Sequence, residues 1–551
     1  MKTASLLIAA MSLAAPCLLS PIAASAADAP KEKEAEHAGP SAKFQPLVAE
    51  EKLSEGSVTI GGRKIDYQAA VGTLIVHPKG WDDVPQDPNA TEKAGRGDDE
   101  DAKNPTAIAA MSYVAYFAHG KPGQNRPITF VYNGGPGSAT VWLHMGAFGP
   151  KRVVTPDDSH APAAPYQLVN NDSSLLDASD LVFIDAPGTG FGRIAGKDKE
   201  KAFYGVDADA YAFAEFISGF LTKYGRWNAP KYLFGESYGT TRSAALINLL
   251  ETERSIDFNG VMLLSQILSY NDSPDRVETS PGNDQPYILV LPTFAATAWY
   301  HHKLPNAPQD LPTFLEEVEH FATGDYALAL EAGADLDPAK RKEIIAKLHQ
   351  YTGLPEAYIE KADLRINGGE FRKTLQDDTD TTTGRLDSRF SGPTLDPLSK
   401  TAEYDPQSAA ISSAYVSAFN DYVRKDLKFG DDKVFKPSAS NIRVWNFQHQ
   451  PPGSMRPLAQ STNVMPDLAN ALKYNPNLKV QLNAGYFDLA TPFFQGVYEM
   501  KHLPIPAKLQ ANIEYKFYDS GHMVYAHDAS LRALHDNAAG FIRKTSNLPA
   551  E

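Results

Sequence analysis

The sequence predicts an α/β protein, with a mostly parallel central sheet and a mainly helical insertion. Three features predict it. Short apolar runs that read as buried strands alternate with helical patterns up to about residue 265, which implies parallel strands. From about 271 to 438 no alternating strands are evident, and helical segments such as 311–321, 338–351 and 408–427 are separated by Pro and Gly. Strand patterns return at 478–483 and 513–517 before a closing helix at 531–544. The expected division is therefore a core over 52–270, an insertion over 271–438 capping the C-terminal edge of the sheet, and a second core segment over 439–551.

The chain has 551 residues, 42% of them hydrophobic and 10% aromatic, which suits one large domain with an insertion or two to three average domains. Its formal charge of −15 argues against nucleic acid or an anionic membrane as partner, and is read as solubility. Lys2, an apolar stretch over 6–22 and Ala24-Ser25-Ala26 form a secretory signal, so residues 1–26 are expected to be removed. A membrane anchor fits less well, because Pro16 and Pro21 break the short stretch. Cys17 is the single cysteine and lies inside it, so the mature protein would hold none. That suits a bacterial protein exported to the periplasm or secreted, and excludes a cysteine nucleophile.

In chain order, residues 27–51 are rich in Ala, Pro, Lys and Glu and read as a flexible leader. Strands are expected at 58–60, 72–77 and 107–117, with a solvated acidic run at 97–101 between the last two. A buried strand at 127–132 runs into Asn133-Gly-Gly-Pro-Gly-Ser138. Glycines there let backbone N–H groups face a ligand, although a tight turn would use them too. A strand at 181–184 ends at Asp185-Ala-Pro-Gly-Thr-Gly-Phe191, and a helix follows over 208–223 with Phe213, Phe216 and Phe220 on one face. The strand at 231–234 then meets Gly235-Glu-Ser-Tyr-Gly239 and a helix over 240–250. G-x-S-x-G between strand and helix is the nucleophile elbow of an α/β-hydrolase, with Ser237 exposed on a strained turn. Another strand lies at 261–265. In the insertion, the acidic stretch 377–384 has its Gly misplaced for a calcium loop, and adjacent His301 and His302 point apart. Nothing suggests a metal or an organic cofactor.

Asp488 and His522 each lie just past a predicted strand, as Ser237 does, so one sheet edge presents all three. Their order, Ser then Asp then His, is that of α/β-hydrolases. Ser237 would attack a carbonyl carbon, His522 would carry its proton to the leaving group, and Asp488 would orient the imidazole. Singly, each has a plainer reading as a helix cap or a turn residue.

Asn133-Gly-Gly-Pro-Gly-Ser138, Asp185-Ala-Pro-Gly-Thr-Gly-Phe191, Gly235-Glu-Ser-Tyr-Gly239 and Gly521-His-Met-Val524 together resemble the serine carboxypeptidase family, peptidase family S10. The resemblance implies an α/β-hydrolase fold with a helical insertion, acting on peptides. It implies an oxyanion hole at the N–H groups of Gly135 and Tyr238, and a site for a peptide's terminal carboxylate at Asn133, Gly134 and Glu236. Two departures bear on that site. Val131 stands where the family has Trp, and Ala147-Phe-Gly-Pro150 aligns with a stretch whose Glu shares a proton with the Glu beside the nucleophile. Without that partner, Glu236 is expected to be ionised at neutral pH and a poorer carboxylate receptor. The family disulfides are absent too. The leading expectation is a serine carboxypeptidase. An esterase, amidase or acyltransferase with the same triad is the alternative, and a non-catalytic binding protein on this scaffold is a third reading. Oligomeric state is not legible.

Overall fold

The computed structural model describes residues 46–83, 104–119, 125–275, 277–306 and 308–549. The expected signal segment, the leader up to residue 45 and the acidic run at 97–101 lie outside them. Leu47–Glu551 forms one compact unit. Its central sheet is built from β1 (Glu50–Ile60), β2 (Arg63–Val76), β3 (Ile108–Ala118), β4 (Ile128–Tyr132), β5 (Asp180–Ile184), β6 (Arg193–Ala195), β7 (Lys231–Glu236), β8 (Gly260–Leu264), β9 (Lys479–Gly485) and β10 (Ile513–Tyr518). The strand order is β1-β2-β3-β5-β4-β7-β8-β9-β10, with β6 pairing on β3. The pairs from β5 through to β10 are all parallel, and β1, β2 and β3 are antiparallel.

Composition placed Glu50 and Glu51 in the leader, but they pair with Thr73 and Gly72 at the start of β1. The ladder to β2 satisfies their backbone, while exposed charge on this edge strand discourages pairing with other chains. The strands β4, β5, β7 and β8 are buried along their whole length and mostly apolar because both faces are covered; Thr129, Asp180, Lys231 and Glu236 are the polar exceptions. Phe130, Tyr132, Leu233, Val261 and Leu263 meet one apolar cluster; Val131, Phe234, Met262 and Leu264 meet the other.

The longer helices are α1 (Val206–Lys223), α2 (Tyr238–Thr252), α3 (Gln285–Tyr300), α4 (Leu311–Phe321), α5 (Pro338–Thr352), α6 (Pro406–Lys425), α7 (Met465–Tyr474), α8 (Phe493–Lys501) and α9 (Asp528–Thr545). α1, α2 and α7 cover the first face, and α9 and α6 contribute to the second. The insertion carries α3 to α6, with a short hairpin between Thr381–Thr383 and Ser391–Pro393 that periodicity did not suggest. α3 escaped a periodicity reading for a physical reason. It is apolar on nearly every side and almost wholly buried, so it has no polar face to set a period. The insertion shares its core with the sheet, since Leu482, Ala484 and Phe487 join Leu291, Phe294 and Phe371 in one cluster.

Between the insertion and α7, residues 439–463 form an irregular strap across the C-terminal edge. Ala439 N donates to Gly137 O at 2.8 Å, Val206 N to Asn446 O at 3.0 Å and Tyr270 N to Thr462 O at 2.9 Å. His449 fastens the strap from below, between Asp207 (2.5 Å) and Asp467 (2.8 Å).

Candidate active site

Parallel register brings the strand ends level, with Tyr132 opposite Gly235, Glu236 opposite Leu264, Leu264 opposite Asn483 and Gly485 opposite Tyr518. Asn133, Ser237 and the turns carrying Asp488 and His522 therefore emerge along one edge. Ser237 sits between β7 and α2 with φ 61° and ψ −130°, a conformation that non-glycine residues avoid at a cost of roughly 1–3 kcal/mol. It is held there because Ser237 N donates to Leu264 O at 2.9 Å, and Thr240 N and Oγ1 each donate to Ser237 O at 2.7 Å. Gly235 is obligatory, since a Cβ there would lie 2.3 Å from Gly239 O.

The loop after β4 packs on this elbow just as tightly. A Cβ on Gly134 would lie 2.5 Å from both Tyr238 N and Gly239 N. Gly135 has φ +105°, a left-handed value that glycine tolerates. Tyr238 opens α2, so its N–H has no intrahelical acceptor. Buried Arg242 supports both segments. It donates from Nε to Asp209 at 2.6 Å and from Nη1 to Asn133 O at 2.8 Å, and it stacks over Phe213.

His522 Nδ1 and Asp488 Oδ2 are 2.7 Å apart, with Asp488 fully buried. Ala490 N and Thr491 N donate to Asp488 Oδ1 at 2.8 and 3.0 Å, and Thr491 Oγ1 donates to Oδ2 at 2.7 Å. Burial opposes a charge on His522, but Asp488 and then Glu236 outweigh it and raise the imidazole above its ordinary value. The insertion holds both turns in place. His522 N donates to Leu386 O (2.6 Å), Gly521 N to Asp387 Oδ2 (3.1 Å) and Leu489 N to Arg385 O (3.0 Å).

A cavity of about 720 Å³ opens over this edge, lined by Asn133, Gly134, Gly135, Glu236, Ser237, Tyr238 and His522. Seven of the eight expected site residues thus line one space, and Asp488 stands directly behind His522. Insertion residues, among them Asp275, Asn283, Arg385 and Ser412, line it too, and the strap adds Phe447 and Thr462. Among the described residues no group of three His, Cys, Asp or Glu side chains is arranged to hold a metal ion.

One expectation is corrected here. Glu236 is not held as an ordinary ionised carboxylate at neutral pH. Burial raises it to about 7, although His522, Tyr525 and Asn133 pull the other way. Loss of water around the carboxyl does what a second carboxyl was expected to do. Tyr525 donates its hydroxyl to Glu236 Oε2 at 2.8 Å, and its ring packs on Gly146, where a Cβ would lie 2.6 Å from Cδ2. Ala147, the next residue, is buried in the core. Asn133 is also committed inward, its Oδ1 accepting from Leu143 N at 3.0 Å. Tyr525, Thr491 and Arg385 were missed from the sequence. Thr491, three residues after Asp488, carried a faint local signal as a turn-forming hydroxyl.

A model of the serine carboxypeptidase family matches residues 106–547. The chain belongs to the serine carboxypeptidase family. This family member is therefore a serine hydrolase with an α/β-hydrolase fold. No curated protein matches it. Among solved structures it is similar to a peroxisomal α/β-hydrolase from Saccharomyces cerevisiae (10% identity, 91% of this chain and 93% of that one, TM-score 0.30). It is also similar to an epoxide hydrolase from Aspergillus niger (13%, 79% and 76%, TM-score 0.31) and to a putative hydrolase from Legionella pneumophila (11%, 90% and 92%, TM-score 0.32).

Proposed function

We propose that this family member is an exported carboxypeptidase that removes C-terminal residues from peptides through a Ser237–His522–Asp488 triad and an acyl-enzyme. The observation that carries the reading is the buried 2.7 Å contact between His522 Nδ1 and Asp488, in a cavity that also exposes Ser237 on its strained turn. His522 Nε2 takes the proton of Ser237 Oγ as that oxygen attacks the scissile carbonyl. The N–H groups of Gly135 and Tyr238 receive the developing oxyanion, a contribution worth roughly 10²–10³ in rate per donor in hydrolases. His522 then returns the proton to the leaving amine, and water releases the acyl group by the same steps in reverse roles.

Asn133, Gly134 and Glu236 would face the terminal carboxylate. A protonated Glu236 can donate to that carboxylate, whereas an ionised one repels it, so its position near pH 7 decides selectivity. The absence of an acidic partner at Ala147 keeps an esterase, amidase or acyltransferase reading in view, since the triad itself does not require a free carboxylate.

The test compares an N-blocked dipeptide with its C-terminal amide across pH 4 to 8. On this proposal the free acid is preferred, and its kcat/KM falls above about pH 7 as Glu236 ionises, while the amide lacks that alkaline fall. Equal cleavage of both at every pH would sink carboxylate selection and leave a general peptidase or esterase. Ser237→Ala, folded by circular dichroism, is expected to abolish turnover of both.

A further inference from the structure

We propose that Arg385, delivered by the insertion, is a carboxylate receptor in the substrate cavity. The inference rests on the peptide-hydrolysing reading and adds a subsite to it. Arg385 is the one Lys or Arg among the described residues lining the cavity, and Asp275 is the other charged side chain that the insertion brings to it. A net charge of −15 repels an anionic substrate in general, and Arg385, among the described lining residues, is a local exception.

Its backbone is fixed on both sides. Arg385 N donates to Asp405 Oδ1 at 2.6 Å, and Arg385 O accepts from Leu489 N, the residue after Asp488. The guanidinium is therefore presented from a rigid segment beside the catalytic turn. Nε and Nη2 reach Asp275 at 3.4 and 2.5 Å, while Nη1 makes no hydrogen bond with any described residue. The side chains are 34% and 54% exposed, and ion pairs so open to water contribute little. A substrate carboxylate can use the unpaired Nη1 and share or displace Asp275, and the planar fork suits two-point binding of a carboxylate.

Two sources present this chemistry: an acidic side chain of the peptide, or its terminal carboxylate. The plainer alternative is that Arg385 only latches the 271–283 segment to the insertion. The experiment uses wild type, Arg385→Gln and Asp275→Asn on four N-blocked dipeptides, with Glu or Gln on the acyl side, each as free acid and as amide. Calorimetric binding of N-blocked Glu and N-blocked Gln accompanies it and needs no turnover.

A carboxylate receptor predicts that Arg385→Gln lowers kcat/KM at least tenfold for carboxylate-bearing substrates only, and weakens binding of the N-blocked acids. Asp275→Asn, which frees the guanidinium, should strengthen both. Loss that follows Glu against Gln assigns the side chain as source; loss that follows acid against amide assigns the terminus. Equal effects of both variants on all four substrates and both ligands would leave a latch and overturn the inference. If wild type cleaves none of the four, the proposed function fails, while the calorimetry still decides the role of Arg385.

Discussion

Tyr525 fills the space beside Gly146 and offers Glu236 a hydroxyl in place of a second carboxyl. A hydroxyl donor favours the ionised carboxyl, so it partly offsets the upward push of burial. Tyr525→Phe keeps the ring and removes the donor. Glu236 should then titrate higher, and the alkaline fall in kcat/KM for a free-acid substrate should move to higher pH, with the amide profile unchanged. An unmoved fall would show that Glu236 does not control it. At this scale the sequence was most informative where a residue's position follows from its own strand. Ser237, Asp488 and His522 each sit at a strand end, and parallel pairing does the rest. Glu236 was assigned only through the family resemblance, and its environment comes from Tyr525 and Asn133 across the fold. Arg385 had no local signal, because only the packing of the insertion brings it to the cavity.

At the scale of elements, the strap over residues 439–463 sets one wall of the site without belonging to the sheet. Trp445 meets Tyr204 and the edge of Tyr238, while Phe447 and Thr462 reach the cavity. Its fastening is His449. Burial alone would depress this imidazole, but Asp207 and Asp467 outweigh that and raise it to about 9. Because the folded value exceeds the unfolded one near 6.5, the stabilisation is fully present below pH 6.5 and disappears as pH rises through 9. The shift corresponds to at most about 3 kcal/mol. His449→Gln should therefore lower Tm most at pH 6 and progressively less towards pH 10, measured by thermal scans of both proteins. A gap independent of pH would rule out a charged clasp. Strand patterns are blind to such a segment, which owes its course to isolated contacts.

Over the whole molecule, the insertion behaves as part of the core. α3 packs against α8, and Phe294 stacks on Phe371 at 4.1 Å in a cluster shared with β9. Phe294→Ala should destabilise by roughly 3–5 kcal/mol. Activity and far-ultraviolet circular dichroism should then be lost together, at a lower denaturant concentration than in wild type. Separate transitions would mean that the insertion unfolds alone. The alternation of strands and helices made the core legible from sequence, since each βα step leaves a local pattern. How the insertion meets it was not legible, because apolar surfaces pack by shape and leave no motif.

The register of β8 with β9 joins chain segments on either side of the entire insertion. Closing so long a loop is entropically slow, and non-local parallel pairs form late in folding. A growing chain would thus carry the serine of the elbow long before the acid and the imidazole reach it. On the proposed mechanism the chain stays chemically silent during its own synthesis, and hydrolytic competence arrives only with its last two strands.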